Sequence, residues 1–272
     1  MSRMLVIPFF IPFGGCETIC VFCDQRGITG TLGLPAPSEI TAQIELYLGT
    51  WKGRGRKEVA FYGGTFTAMK ESRQADCLGP VEPFLRDGRI NGIRVSTRPD
   101  CISGEITAFL SDQGVDTVEL GVQSMDDRVL TLSGRGHSAA DTVRAVETLK
   151  RAGLSVGLQF MPGLPGDDAA SVMATAREII ALRPDFVRVY PTVVMRHTLL
   201  ERLFHEGRYR PWSLEEMVAL CREISLLFEA AGIRIVRMGL QHTAGLEGNI
   251  VAGPYHPSFR DLVLREISLN AS

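Results

Sequence analysis

Gly14-Gly15-Cys16-Glu17-Thr18-Ile19-Cys20-Val21-Phe22-Cys23-Asp24-Gln25 is the stretch on which the reading of this chain turns. Three cysteines, spaced CxxxCxxC, follow directly on the apolar run Leu5–Phe13. Thiolates are soft ligands, suited to zinc, copper(I) and iron–sulfur clusters. A structural zinc site usually takes four ligands, often from two separated CxxC knuckles. A 4Fe-4S cube held by three thiolates keeps one iron open to another ligand. The spacing therefore points to an active cluster. A small zinc site or a disulfide remains open at this point.

Working outward, the 272 residues are 45% apolar, enough for one large core and for one or two domains. A net charge of −2 gives no mark of a strongly basic nucleic-acid binder. Six cysteines in so long a chain do not make a disulfide scaffold. Clustered thiols that must stay reduced fit the cytoplasm. The run Leu5–Phe13 holds Pro8 and Pro12 and lacks a small-residue cleavage signature, so no signal peptide is expected. No apolar stretch is long enough to span a bilayer.

Short β-branched runs alternate with amphipathic helical stretches, the pattern of βα units and a parallel sheet. Strands are expected at Leu5–Phe10, Glu58–Tyr62, Gly92–Thr97, Thr117–Val122, Leu154–Met161 and Phe186–Tyr190. A seventh apolar run, Ile233–Met238, is a further candidate strand. Helices are expected at Ser38–Trp51, Cys77–Arg86, from the N-cap Ser103 to Gln113, from Ser138 to before Gly153, at Asp168–Leu182, and from the capping box Ser213–Glu216 to Ala231.

With Phe22 directly before the last cysteine, the cysteine motif resembles that of the radical S-adenosylmethionine (radical SAM) superfamily. The resemblance implies a 4Fe-4S cluster on Cys16, Cys20 and Cys23, with SAM on the fourth iron. It also implies an α/β fold, an incomplete (β/α)6 TIM-like barrel. That barrel is expected over residues 1–238, with a C-terminal extension at 239–272. In such barrels the chemistry sits at the C-terminal ends of the strands, and the polar motifs of this chain fall there.

Tyr62-Gly63-Gly64-Thr65-Phe66 resembles the motif whose backbone holds the amino group of SAM, assigning Gly63, Gly64 and Thr65 to that role. Ser96-Thr97-Arg98-Pro99-Asp100 resembles the radical SAM domain of the Elongator catalytic subunit and its bacterial relatives. Val95-Ser96 stands here where that branch often carries an acidic residue. Gln123, with Arg135-Gly136-His137 further on, resembles the oxygen-independent coproporphyrinogen oxidase branch. That likeness implies a ribose contact at Gln123 and a carboxylate clamp at Arg135, since a guanidinium forks onto a carboxylate. His137 is either a ligand contact or a helix cap. Gln159 is implied as a second ribose contact, with Met161 and Leu164 as apolar walls for adenine. Arg188 and Tyr190 are candidates for adenine or substrate contacts. Cys221 lies on an apolar helical stripe and reads as core, whereas Cys77 and Cys101 have no assigned role.

The family likeness implies a reaction. One electron from an external flavodoxin- or ferredoxin-like reductant passes to SAM, giving methionine and a 5′-deoxyadenosyl radical that abstracts hydrogen from substrate. The substrate is either a tRNA base or a small anionic, tetrapyrrole-like molecule. The alternative is a non-catalytic iron–sulfur or zinc-binding protein, with a zinc-stabilised barrel hydrolase as a third reading. The glycine- and proline-bearing segment 239–257 is expected to cover the lateral opening of the barrel. His242, Tyr255 and His256 are its candidate substrate contacts.

Overall fold

The computed structural model describes residues 4–25, 30, 33–240 and 246–269. The chain divides into two compact units. One comprises Met1–Glu17, Thr31–Leu120 and Arg144–Val156, and the other Thr18–Gly30, Gly121–Val143 and Gly157–Ser272.

The first unit carries β1 (Leu5–Ile11), α1 (Pro37–Thr50), β2 (Lys57–Gly63), α2 (Glu71–Leu78), α3 (Glu82–Arg86), β3 (Gly92–Thr97) and α4 (Gly104–Asp112). It also holds most of β4 (Val115–Gln123). Pairing is parallel from β1 to β2, β2 to β3 and β3 to β4, with Leu5 opposite Lys57 and Ile11 opposite Gly63. Alternation sets the faces of β1. Ile7, Phe9 and Ile11 are buried, and Phe9 stacks on Phe61 at 5.5 Å. Pro8 offers no amide, which an edge strand such as β1 tolerates. The helix expected over Cys77–Arg86 is two short helices joined by a 3-10 turn at Gly79–Val81. Pro80 and Pro83 lack the N–H groups that one continuous helix would use.

A buried ion cluster crosses three strands of this unit. Arg94 of β3 donates to Glu58 of β2 at 2.7 Å and to Glu119 of β4 at 2.7 Å. Arg56 closes on the other oxygen of Glu58 at 2.6 Å. Burial pushes the Glu58 carboxyl upward, but Arg94 and Arg56 outweigh it and hold the carboxyl below its ordinary value.

Besides Thr18–Gly30, the second unit takes in the end of β4, α5 (Asp127–Leu132), the start of α6 (Ala139–Arg151), the end of β5 (Ser155–Phe160) and α7 (Ala169–Ala181). After these come β6 (Phe186–Val189), β7 (Val194–Met195), α8 (Leu199–His205), α9 (Leu214–Ala230), β8 (Arg234–Met238), β9 (Ile250–Ala252) and α10 (Phe259–Leu269). Strands β5, β6 and β8 pair in parallel, while β7 and β9 form a separate antiparallel pair. Met217, Cys221, Ile224 and Phe228 make the buried stripe of α9, and Phe228 meets Phe160 at 5.9 Å. The capping box of Ser213 and Glu216 opens this helix, and Ser103 caps α4.

The main sheet has the order β1-β2-β3-β4-β5-β6-β8, so strand order follows the chain. This is the topology of an incomplete β/α barrel. The apolar run at Ile233–Met238 supplies its seventh strand, as β8. Helices α5, α8 and α10 lie in stretches to which the sequence pattern assigned no element. No described helix is long and apolar enough to cross a membrane.

Candidate functional site

The cysteine loop starts where β1 stops. Phe13 and Gly15 take positive φ, and the Gly14 amide bonds back to the Ile11 carbonyl at 3.0 Å. The loop after β2 then locks onto it. The Gly64 amide donates to the Ile11 carbonyl at 3.1 Å, and the Thr65 amide donates to the Gly14 carbonyl at 2.7 Å. A Cβ on Gly64 would lie 2.1 Å from the Gly14 oxygen, and one on Gly15 would lie 2.2 Å from the Thr65 oxygen. Only glycine permits two backbones to approach so closely. The approach brings the Thr65 hydroxyl within 3.5 Å of Cys16 Sγ. Gly63, Gly64 and Thr65 thus lie against the cysteine loop. With the amides of Gly64 and Thr65 engaged, this loop would meet an ammonium group through its carbonyl oxygens.

At its other end the same loop is built into the second unit. The Val21 amide donates to Ser133 O at 3.1 Å, and the Leu200 amide donates to Val21 O at 2.7 Å. Val21 packs with Val194, Leu200 and Tyr209. Helix α5 ends in a left-handed Gly134, and the Arg135 amide returns to Leu130 O at 3.0 Å. This turn aims Arg135 at Cys20. Its Nη1 donates to Cys20 Sγ at 3.1 Å and its Nη2 to the Gly121 carbonyl at 2.5 Å. The Nε is buried without a hydrogen-bond partner among the described residues. Cys20 is buried, Cys16 and Cys23 are half-buried, and none of the three is in a disulfide among the described residues. Among the described residues no group of three or more His, Cys, Asp or Glu side chains is placed to hold a metal ion. Such a site would have its ligands converge on one point, whereas a cluster takes each thiolate on a different iron. Reduced thiols on one loop, one of them facing a guanidinium, fit an anionic, thiolate-held cluster.

The ends of β4 and β5 meet in the second unit. Gln123 is 5% exposed and has a φ of 68°. A non-glycine residue held in this region is uncommon and marks functional sites more often than ordinary strand ends. The amide of Met161 donates to Gln123 O at 2.9 Å, and the side chains of Gln159 and Gln123 approach to 3.4 Å. Gln123, Gln159 and Met161 are therefore brought together. His137 is buried with Nε2 3.1 Å from the Val122 carbonyl.

Two supports of the loop after β5 have no counterpart in the sequence reading. Asp167 accepts from the amides of Gly163 and Leu164, at 3.2 and 3.0 Å, and from Ser171 Oγ at 2.9 Å. The Tyr209 hydroxyl donates to Gly163 O at 2.6 Å. Burial pushes the Asp167 carboxyl up to about 6, against the pull of those hydrogen bonds. Asp167 shows in sequence only as a residue beside the cap of α7, and nothing local singles out Tyr209.

Of the remaining thiols, that of Cys101 is near enough to the cysteine loop to feel the charge of Glu17. Cys77 and Cys221 are buried, and burial raises the Cys77 and Cys101 thiols to about 11. Tyr255 and His256 line a small open recess with Pro191, Leu240 and Phe259. The Nδ1 of His256 accepts from the Ser258 amide at 3.1 Å. His242 lies outside the described residues.

The family model of the radical SAM superfamily matches residues 10–179, and that of the radical SAM C-terminal domain matches residues 184–268. The chain is 38% identical over 247 residues to the tRNA uridine(34) acetyltransferase of Dehalococcoides mccartyi, covering 78% of this chain and 54% of that protein. It therefore spans about half the length of that relative. Among solved structures it is similar to archaeal Elp3 of Methanocaldococcus infernus. The TM-score is 0.80 at 25% identity, covering 100% of this chain and 64% of the other. Coproporphyrinogen III oxidase (HemN) of Escherichia coli shares the fold, with a TM-score of 0.63 at 17% identity over 85% of this chain and 53% of that one.

Proposed function

The chain belongs to the radical SAM superfamily, and from that premise we propose that Cys16, Cys20 and Cys23 hold a 4Fe-4S cluster at which SAM is cleaved reductively. When bound, the cluster supplies one electron to the SAM sulfonium, giving methionine and the 5′-deoxyadenosyl radical that takes hydrogen from substrate. The observation that carries this reading is the interlock of the cysteine loop with Gly63-Gly64-Thr65, which seats Thr65 beside Cys16.

The chain's own residues bind and orient. Carbonyls of the Gly63–Thr65 loop accept from the amino group of SAM. Gln123 and Gln159 meet the ribose hydroxyls, as amides that both donate and accept. Met161 walls the adenine. Arg135 has two of its five N–H donors on Cys20 and Gly121, and the others face the SAM carboxylate. Tyr255 and His256, with His242 outside the described residues, contact substrate from the segment 239–272, which shields the radical from water. The electron comes from an external flavodoxin- or ferredoxin-like donor. We assign a tRNA uridine as the substrate class, on the strength of the 38% identical relative. Its acetyl-transfer activity is not carried over.

The test is anaerobic reconstitution with iron and sulfide. Wild type is expected to bind roughly four irons per chain. Replacing Cys16, Cys20 or Cys23 by Ala removes the cluster absorbance, and replacing Cys77 or Cys101 leaves it. A cluster that survives Cys20→Ala sinks the ligand assignment. Unmodified tRNA transcripts should raise coupled SAM cleavage above background. If a small anionic substrate does so and tRNA does not, the substrate class is wrong.

A further inference from the structure

We infer that Arg135 sets the reduction potential of the cluster, through a buried positive charge and an N–H···S hydrogen bond on Cys20. This rests on the reading of Cys20 as a cluster ligand. Arg135 is 6% exposed, its Nη1 is 3.1 Å from the sulfur, and no carboxylate pairs with it among the described residues. The arrangement is held from both sides. The bond from the Val21 amide to Ser133 O ties the residue after Cys20 to the turn that carries Arg135. The bond from Nη2 to Gly121 O holds the guanidinium plane. Among the described residues, the polar partner of Cys16 Sγ is a neutral hydroxyl, that of Thr65. Among the polar partners described for these two sulfurs, the cationic one is at Cys20.

Hydrogen bonds to sulfur, net charge and solvent exposure set the potentials of iron–sulfur clusters. Reduction by one electron adds a negative charge to the site. A fixed cation in a poorly solvated position stabilises the reduced form more than the oxidised one. The donor is oxidised by one electron and the cluster is reduced by one. No bond breaks and no proton moves. Arg135 therefore raises the potential and brings it within reach of a biological one-electron donor before SAM arrives.

The experiment is a redox titration of the reconstituted, SAM-free protein, followed by electron paramagnetic resonance with dithionite as reductant. Wild type is compared with Arg135→Gln, Arg135→Met and Arg135→Lys, with iron and sulfide content, thermal unfolding of the iron-free chain and SAM binding measured on each. The neutral variants are expected to lose at least tenfold in the one-electron equilibrium constant, about 59 mV. Arg135→Lys, which keeps the charge, is expected to lose less than tenfold. An unchanged potential in a loaded neutral variant, with weaker SAM binding, overturns the inference and leaves Arg135 a SAM contact alone. Should neither neutral variant load while Arg135→Lys does, in chains that stay folded, the requirement for charge at Cys20 stands. Failure of all three to load in folded chains overturns it. A wild-type protein that binds no cluster, or a Cys20→Ala variant that binds one, would instead refute the underlying site.

Discussion

Arg94 and Arg135 are both buried, at 7% and 6% exposure, and they are satisfied in opposite ways. Arg94 sits between two carboxylates, Glu58 and Glu119, each at 2.7 Å. Arg135 faces a thiol sulfur and a backbone carbonyl, and no carboxylate among the described residues. A buried charge is costly unless paired. At Arg94 the fold supplies the counter-charge itself, so the cluster there is structural. On the proposed reading, the counter-charge at Arg135 comes from what binds beside Cys20: thiolate, cluster and the carboxylate of SAM. The difference separates a cation that holds strands together from one that we assign to a ligand.

The largest effect expected from this contrast is on stability. Arg94→Met removes the buried cation that Glu58 and Glu119 share, with Arg56 still on Glu58, and should cost about 3–5 kcal/mol. Chemical denaturation of the iron-free chain measures it. Arg135→Met strands no carboxylate. Its expected cost in the same iron-free chain is about 1–2 kcal/mol, mainly for the Gly121 carbonyl left unpaired. Equal costs at the two positions would break the comparison.

A smaller effect contrasts two carboxylates. Glu58 is held below its ordinary value, so it stabilises the fold above about pH 4.5 and loses that contribution as pH falls through its folded value. Asp167 behaves in the opposite way. Its carboxyl is raised from 3.8 to about 6, so its neutral form favours the fold below about pH 4, and that contribution disappears as pH rises through about 6. Asp167→Asn keeps an acceptor for the Gly163 and Leu164 amides without the charge. Its stability relative to wild type should therefore rise between pH 4 and pH 7, by at most about 3 kcal/mol. A difference that stays flat over that range would show that Asp167 ionises freely in the fold.

Much of the scaffold was legible because its signals are local. Ser103 and the Ser213–Glu216 pair cap the helices that their residue types announced, and Asp168 caps the helix expected to start at it. The cysteine loop and Gly63–Thr65 were readable as motifs, and they do lie against each other. The short helices α5 and α8, of six and seven residues, carry too few turns for a periodic signal. The pairings that distinguish Arg94 from Arg135 were not legible. Arg94 meets Glu119 across 25 residues and Glu58 across 36, because parallel neighbours are separated by a crossover. Arg135 meets Cys20 across 115 residues. Periodicity shows which face a charge occupies and not which distant charge or sulfur it will find. For the same reason Tyr209, 46 residues from Gly163, left no trace in the sequence.

The most direct measurement is of SAM cleavage itself. The anaerobically reconstituted protein is mixed with SAM and dithionite, and 5′-deoxyadenosine is followed by mass spectrometry. The account predicts 5′-deoxyadenosine from wild type and from Cys101→Ala, and none above background from Cys16→Ala, Cys20→Ala or Cys23→Ala. A wild-type protein that carries its cluster yet leaves SAM intact would contradict it, as would undiminished cleavage by any of the three cysteine variants.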